Sequence, residues 1–399
     1  MADWHDPGQQ AEYLAQALSQ DKLPLGILLG AGCPCSIVTL QEEDKVPLIP
    51  DIAGLTDAVY KALSPGDNAT PYTTVLDNLK EDGHERPTIE DILSHVRSLR
   101  QIAGSAEVRG LRADALAALD KAICDEIVKI AHQTLPPADT PYHALASWTA
   151  STLRSHPLQF FTPNYDLLLE QALEARNVPY FDGFVGSYHA FFDPYAMEED
   201  TLPSRWARVW KLHGSINWIV SPTGQVCRTG STDDDCTARL IHPSHLKYDE
   251  SRKMPYLAMA DRMRAFFRQS SPPIFVVCGY SFKDQHINET LEQGLRGNPL
   301  SAAFALLHGP LSDYPQAVAL AQLRPNLSLL ADDAAVVGMQ RAAWIEPVST
   351  SATPDPIAVK RESAPSPHYR LALGDFAVFA TFLAGLMGPR TYAATSGDN

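Results

Sequence analysis

Residues 25–32 read LGILLGAG, and this stretch decides the fold. A short apolar run ends in Gly30-Ala31-Gly32, the layout of a buried strand that delivers a loop at its carboxyl end. Glycines there let a backbone approach a pyrophosphate with no Cβ in the way, although a plain tight turn has the same composition. No full GxGxxG follows, so the usual dehydrogenase fingerprint is absent. Three further apolar runs end in a similar way. Residues 158–161 lead into TPNYD at 162–166, residues 209–212 into His213-Gly214-Ser215, and residues 273–278 into Gly279-Tyr280-Ser281. Helical patterns separate these runs, which predicts a Rossmann-like α/β fold: a parallel sheet with helices on both faces and an inserted helical layer. In such sheets ligands bind beyond the carboxyl ends of the strands, so four successive strand-end motifs describe one crevice.

Working outward, residues 1–22 read as an N-terminal helix and 23–347 as the main domain. Residues 64–87, rich in Pro, Gly, Asp and Asn, read as a loop region with one short helix. The helical insert is expected at about 88–156. Thr88 is its N-cap, with Glu90 and Asp91 in the first turn, and a second helix over 111–135 closes at Pro136-Pro137. Residues 348–368 read as a linker or loop, 369–391 as a C-terminal helix packing on the core, and 392–399 as a disordered tail.

The apolar fraction of 45% supports a sizeable core. Asp and Glu number 47 against 32 Lys and Arg, a net charge of −15, which argues against direct nucleic-acid binding because phosphate contacts depend on clustered cations. The N-terminus lacks a basic-then-apolar signal, and the uncharged run 23–41 is interrupted by Pro and Gly. The expectation is a cytoplasmic protein with no membrane segment. Six cysteines, at 33, 35, 124, 227, 236 and 278, form no CxxC pair, so no metal is expected. Cys227 and Cys236 could supply two ligands, but no second pair follows.

The strand ends also carry the reactive groups. His213, flanked by Gly and Ser, has the imidazole suited to proton transfer near neutrality, although a lone His is often structural. Asn164 can orient a water or a carboxamide, and Asp166 can stabilise positive charge developing on a sugar. Capping of the helix beginning near Leu167 would use the same two residues.

Taken together, GAG, TPNYD, LHGS and GYSFKDQHIN resemble the motifs of the sirtuin-like superfamily, in order, over about residues 24–295. The resemblance is closer to its bacterial antiphage-defence NADase branch than to the protein deacylases. It implies that Gly30, Ala31 and Gly32 wrap NAD and that Asn164 and Asp166 lie at the nicotinamide–ribose end. It also implies that His213 acts near the ribose and that Gly279 and Ser281 contact the adenosine side. Ser36, Thr162 and Asp284 complete the expected nucleotide-binding set, and His286 is a motif member without an assigned role. Pro34 stands where the family's first motif usually has Ser, and Tyr165 where deacylases usually have Ile. Zinc-ribbon cysteines and a recognisable acyl-lysine groove are missing.

These departures favour cleavage of the nicotinamide–ribose bond of NAD, the substrate, to nicotinamide and ADP-ribose. The alternatives are an NAD-dependent protein deacylase or ADP-ribosyltransferase, and a non-catalytic NAD or ADP-ribose sensor. The resemblance further implies a homo-oligomer working with a HerA-type hexameric ATPase in antiphage defence.

Overall fold

The computed structural model describes residues 4–41, 44–104, 106–199, 201–221, 224–230, 238–241, 255–346, 359–362 and 368–387. A ten-stranded sheet forms its centre. Strands β1 (Leu25–Leu29), β2 (Gln159–Thr162), β3 (Ala207–Lys211), β4 (Ile274–Cys278), β5 (Ala302–Leu306) and β6 (Leu327–Leu330) run parallel, in the spatial order β6-β5-β4-β1-β2-β3. Ala334–Val337 and Gln340–Trp344 extend the β6 side by antiparallel pairing, and Tyr180–Phe181 adds to β3 in parallel.

The strand order reverses at β1. From β1 the chain steps outward to β2 and β3, then returns to the other side of β1 as β4 and steps outward again. Connections leaving β1 and β4 therefore diverge, and a crevice opens between them at the carboxyl edge. Register brings the motifs to one level. Leu29 pairs with Cys278, Cys278 with Leu306, Leu28 with Phe161, and Thr162 with Lys211. Gly30, Pro163, Leu212 and Gly279 are therefore the next residues along neighbouring strands.

The apolar runs are buried on both faces, as parallel strands under two helical layers must be. Leu25, Ile27 and Leu29 join Phe160 and Val276 in one core, while Leu28 joins Phe161, Phe275 and Val277 in the other, following the period of two along a strand. Helices Pro7–Leu18, Pro141–Ser151, Leu168–Ala175 and Phe376–Gly385 cover the first face. Tyr256–Phe267, Gln285–Gly297 and Pro315–Ala321 cover the second.

The inserted layer has its own core and begins earlier than its sequence suggested. It comprises Ile52–Leu63, Ala69–Glu81, Ile89–Ala103 and Ala113–Ala131. The region over 64–87, read as loop with one short helix, holds a 13-residue helix, with Tyr72, Val75 and Leu79 on its buried face and Pro71 tolerated in its first turn. Thr88 caps Ile89–Ala103 as expected. Its hydroxyl accepts from Asp91 N (3.4 Å), and the Asp91 carboxylate accepts from Thr88 N (2.8 Å), a reciprocal capping box. Pro141–Ser151, expected in the insert, instead packs on the sheet beside Phe376–Gly385, where the Tyr142 and Phe376 rings meet edge-on at 5.0 Å.

The C-terminal region also differs from the expected single helix. Val359–Glu362 pairs antiparallel with His368–Leu371, and the helix begins only at Phe376, where the Asp375 carboxylate accepts from Ala377 N. The tail expected at 392–399 and most of the linker at 348–368 lie outside the described residues. No helix among the described residues is long and apolar enough to cross a membrane.

Candidate functional site

The loops after β1 and β4 touch backbone to backbone. Gly32 N donates to Gly279 O at 2.8 Å. Gly279 has φ +66°, and a Cβ there would lie 2.7 Å from Cys33 N; a Cβ on Gly30 would lie 2.3 Å from Gly279 O. Both contacts are with backbone, which cannot swing aside. The glycines are thus required by loop-on-loop packing.

The loop after β2 is fixed against this pair. The Thr162 hydroxyl donates to Leu29 O (2.7 Å) and accepts from Asn164 N (3.0 Å). Asn164 Nδ2 donates to Gly30 O at 3.0 Å, joining the second motif to the first. Asp166 is buried, and its carboxylate accepts from Leu168 N at 3.0 Å. Burial raises the Asp166 carboxyl above its ordinary range, opposed by the cation of Lys211. Lys211, itself buried at the end of β3, donates to Asp166 O and lies 3.3 Å from Glu170 Oε1. Burial also raises Glu170, again against Lys211.

His213 lies two residues beyond the end of β3 and is only 8% exposed. Its Nε2 lies 2.9 Å from Asp284 Oδ2, and its Nδ1 lies 3.8 Å from Glu90 Oε1. Asp284 comes from the loop after β4, and its Oδ1 accepts from His286 N and Ile287 N at the start of Gln285–Gly297. That loop is braced by the Tyr280 hydroxyl, whose single O–H is shared between Asp284 O and Asn288 Oδ1, each 2.9 Å away. Glu90 comes from the helical layer and accepts from the Tyr165 hydroxyl at 3.3 Å.

A cavity of about 740 Å³ opens over these groups. It falls within the span of roughly 300–1,000 Å³ typical of small-molecule sites. Ala31, Gly32, Ser36, Asn164, Asp166, His213, Gly279, Ser281 and Asp284 all line it. Gly30 lies behind the wall, as the acceptor for Asn164. Thr162, expected among the nucleotide-binding residues, does not reach the cavity, because its hydroxyl is engaged in holding the Asn164 turn. His286 is exposed and takes no part in the wall.

Sequence reading missed several wall residues. Glu90 registered only as a helix-start acid, Lys283 only as an unassigned member of the GYSFKDQHIN motif, and His308, Tyr314 and Asp375 carried no motif signal. Gly374 and Phe376 also line the cavity, so the C-terminal segment closes one side of it.

The nearby thiols are unsuited to nucleophilic attack. Burial pushes Cys35 up to about 11, with Asp51 adding to the effect, and burial also raises Cys33 well above its usual value. Among the described residues no group of three or more His, Cys, Asp or Glu could hold a metal. Cys227 is described and free, whereas Cys236 lies outside the described residues. Chelator-washed protein should therefore carry far less than one zinc per chain by elemental analysis, and a stoichiometric, tightly held zinc would contradict this.

Fold and site together define an α/β domain with a ligand-sized crevice at the switch point of a mostly parallel sheet. Residues 158–325 match the family of SIR2-like domains. Solved structures similar to the chain include one from work on the mechanism and regulation of Sir2 enzymes. It is 11% identical and covers 76% of this chain and 88% of that one, with a TM-score of 0.36. A Sir2 homolog–NAD complex is 14% identical, covering 80% of this chain and 87% of that one, with a TM-score of 0.35. No curated protein matches the sequence.

Proposed function

We propose that the chain is an NAD glycohydrolase that cleaves the nicotinamide–ribose bond. The observation that carries this reading is the meeting of Asn164 and His213 in one cavity with the loops that follow β1 and β4. In the reaction the C–N bond to nicotinamide breaks as positive charge spreads over the ribose, a water oxygen bonds to the anomeric carbon, and one water proton is released. The products are nicotinamide and ADP-ribose. His213 receives the proton or orients the ribose hydroxyls, and Asn164 holds the ribose, carboxamide or attacking water. Asp166, Glu90 and Asp284 give this end of the cavity an acidic lining, which complements both the pyridinium of the substrate and the charge developing on the sugar. The pyrophosphate would lie along Ala31 and Gly32, and the adenosine towards Gly279 and Ser281, where Lys283 offers a cation. Incubating purified protein with NAD and following nicotinamide release tests the reading. Release that requires an acylated peptide or a protein acceptor would replace it with the transferase alternatives, and tight NAD binding without release would replace it with a sensor.

The same reading places the activity in antiphage defence by NAD depletion, under the control of a partner. Unregulated NAD cleavage would harm the cell that makes the enzyme, so the activity has to be held off until it is needed. We therefore expect a homo-oligomer whose turnover rises on assembly with a HerA-type hexameric ATPase. Nucleic-acid sensing would then fall to the partner, in keeping with the net charge of −15 here. Light scattering, followed by NAD turnover with and without the ATPase, checks this. A monomer cleaving NAD at full rate alone would overturn it.

A further inference from the structure

We propose that Asp284 and Glu90 are positioning residues for His213, acting on opposite nitrogens of its ring, and that the helical layer thereby supplies part of the catalytic apparatus. This rests on the reading of His213 as the proton acceptor in NAD cleavage. The geometry is asymmetric. Asp284 Oδ2 lies at an ion-pair distance of 2.9 Å from Nε2, whereas Glu90 Oε1 lies 3.8 Å from Nδ1. A neutral imidazole has one N–H and one lone pair. A carboxylate this close to Nε2 favours the tautomer that carries its N–H there and leaves the Nδ1 lone pair as the base. When Nδ1 takes a proton, the ring becomes a cation, and the carboxylate of Glu90 stabilises it. This is the division of labour by which a buried carboxylate orients a histidine base elsewhere, with a second carboxylate added on the proton-accepting side.

Each carboxylate is itself held. Asp284 is fixed through Oδ1 by two backbone N–H groups of Gln285–Gly297, so Oδ2 cannot turn away without uncapping that helix. Glu90 is steadied by the Tyr165 hydroxyl, and Tyr165 belongs to the same turn as Asn164. Its backbone carbonyl accepts from Ile216 N at 3.0 Å, which ties this turn to the strand that follows His213. Glu90 stands in the first turn of a helix whose core is separate from those of the sheet. Its distance from His213 therefore depends on how the helical layer seats over the sheet.

The test uses the full chain with ¹⁵N-labelled histidine, and the His213 signal is identified by its loss in His213→Gln. Side-chain nitrogen shifts of the unliganded protein should report His213 as the Nε2–H tautomer. Asp284→Asn should weaken that preference while keeping the helix cap, because Asn caps as well as Asp does. Glu90→Gln keeps size and an acceptor for Tyr165. It should leave the tautomer unchanged and lower kcat by about tenfold or more, with KM for NAD within about twofold. An Nδ1–H tautomer in the wild type, or a tautomer unmoved by Asp284→Asn, would overturn the role of Asp284. Wild-type kcat in Glu90→Gln would overturn the role of Glu90. Should the wild type release no nicotinamide even with its partner, the proposed function fails, and the tautomer measurements still decide whether Asp284 orients the ring.

Discussion

His213→Ala should reduce NAD turnover by roughly 100- to 10,000-fold, the usual cost of losing a positioned acid–base group. The side chain is nearly buried, and both of its ring nitrogens face carboxylates. Among the described residues no other imidazole stands in its place: His308 also lines the cavity, but it follows β5, beyond β4 on the far side of the switch point. The variant should still fold, because His213 belongs to none of the three apolar cores. Nicotinamide release under conditions in which the wild type is active, paired with a thermal melt, makes the measurement. Near-normal turnover in a folded variant would remove His213 from the mechanism.

Asn164→Ala should have an effect of the same order on turnover, together with a small loss of stability. The amide donates to Gly30 O, so truncation also loosens the joint between the first two strand-end loops. One such hydrogen bond contributes about 0.5–1.5 kcal/mol, which a melt can resolve. That cost is too small to unfold a domain of this size, so a large fall in activity would reflect the chemistry rather than the scaffold. Asn164→Asp sharpens the comparison: it keeps the size but cannot donate to Gly30 O when ionised. Turnover by Asn164→Ala close to wild type would show that the amide serves the loop alone.

The strands and their terminal motifs were legible because each is a local signal. An apolar run followed by Gly or a small polar turn needs no knowledge of distant residues. The Thr88 cap was legible for the same reason, since Thr and Asp three apart satisfy each other within one turn. What sequence could not supply was pairing over long separations. Nothing near Glu90 marks it as a neighbour of His213, and nothing near Asp375 or Phe376 marks them as wall residues. Pro141–Ser151 was read as part of the insert because its apolar face is the same whichever core receives it. The helix at Ala69–Glu81 was obscured by the Pro, Gly and Asp residues around its start, although its apolar spacing was present. Thr162 shows the reverse case. Its motif membership was plain, but only the structure reveals that its hydroxyl faces Leu29 O.

The reversal of strand order at β1 has a bearing on how the molecule is made. Cys33 and Cys278 are 245 residues apart in sequence, yet the Cys33 thiol donates to the carbonyl of Cys278. During synthesis β1, β2 and β3 emerge first and can form half of the sheet, with one side of β1 left open. The crevice has no second wall until β4 arrives, and forming that pairing carries the entropic cost of closing a very long loop. Until that closure the Gly30-Ala31-Gly32 loop lacks the Gly279 carbonyl that receives Gly32 N, and His213 lacks Asp284. A chain that is half made therefore has no assembled site, and the candidate centre comes into being only with the completed sheet.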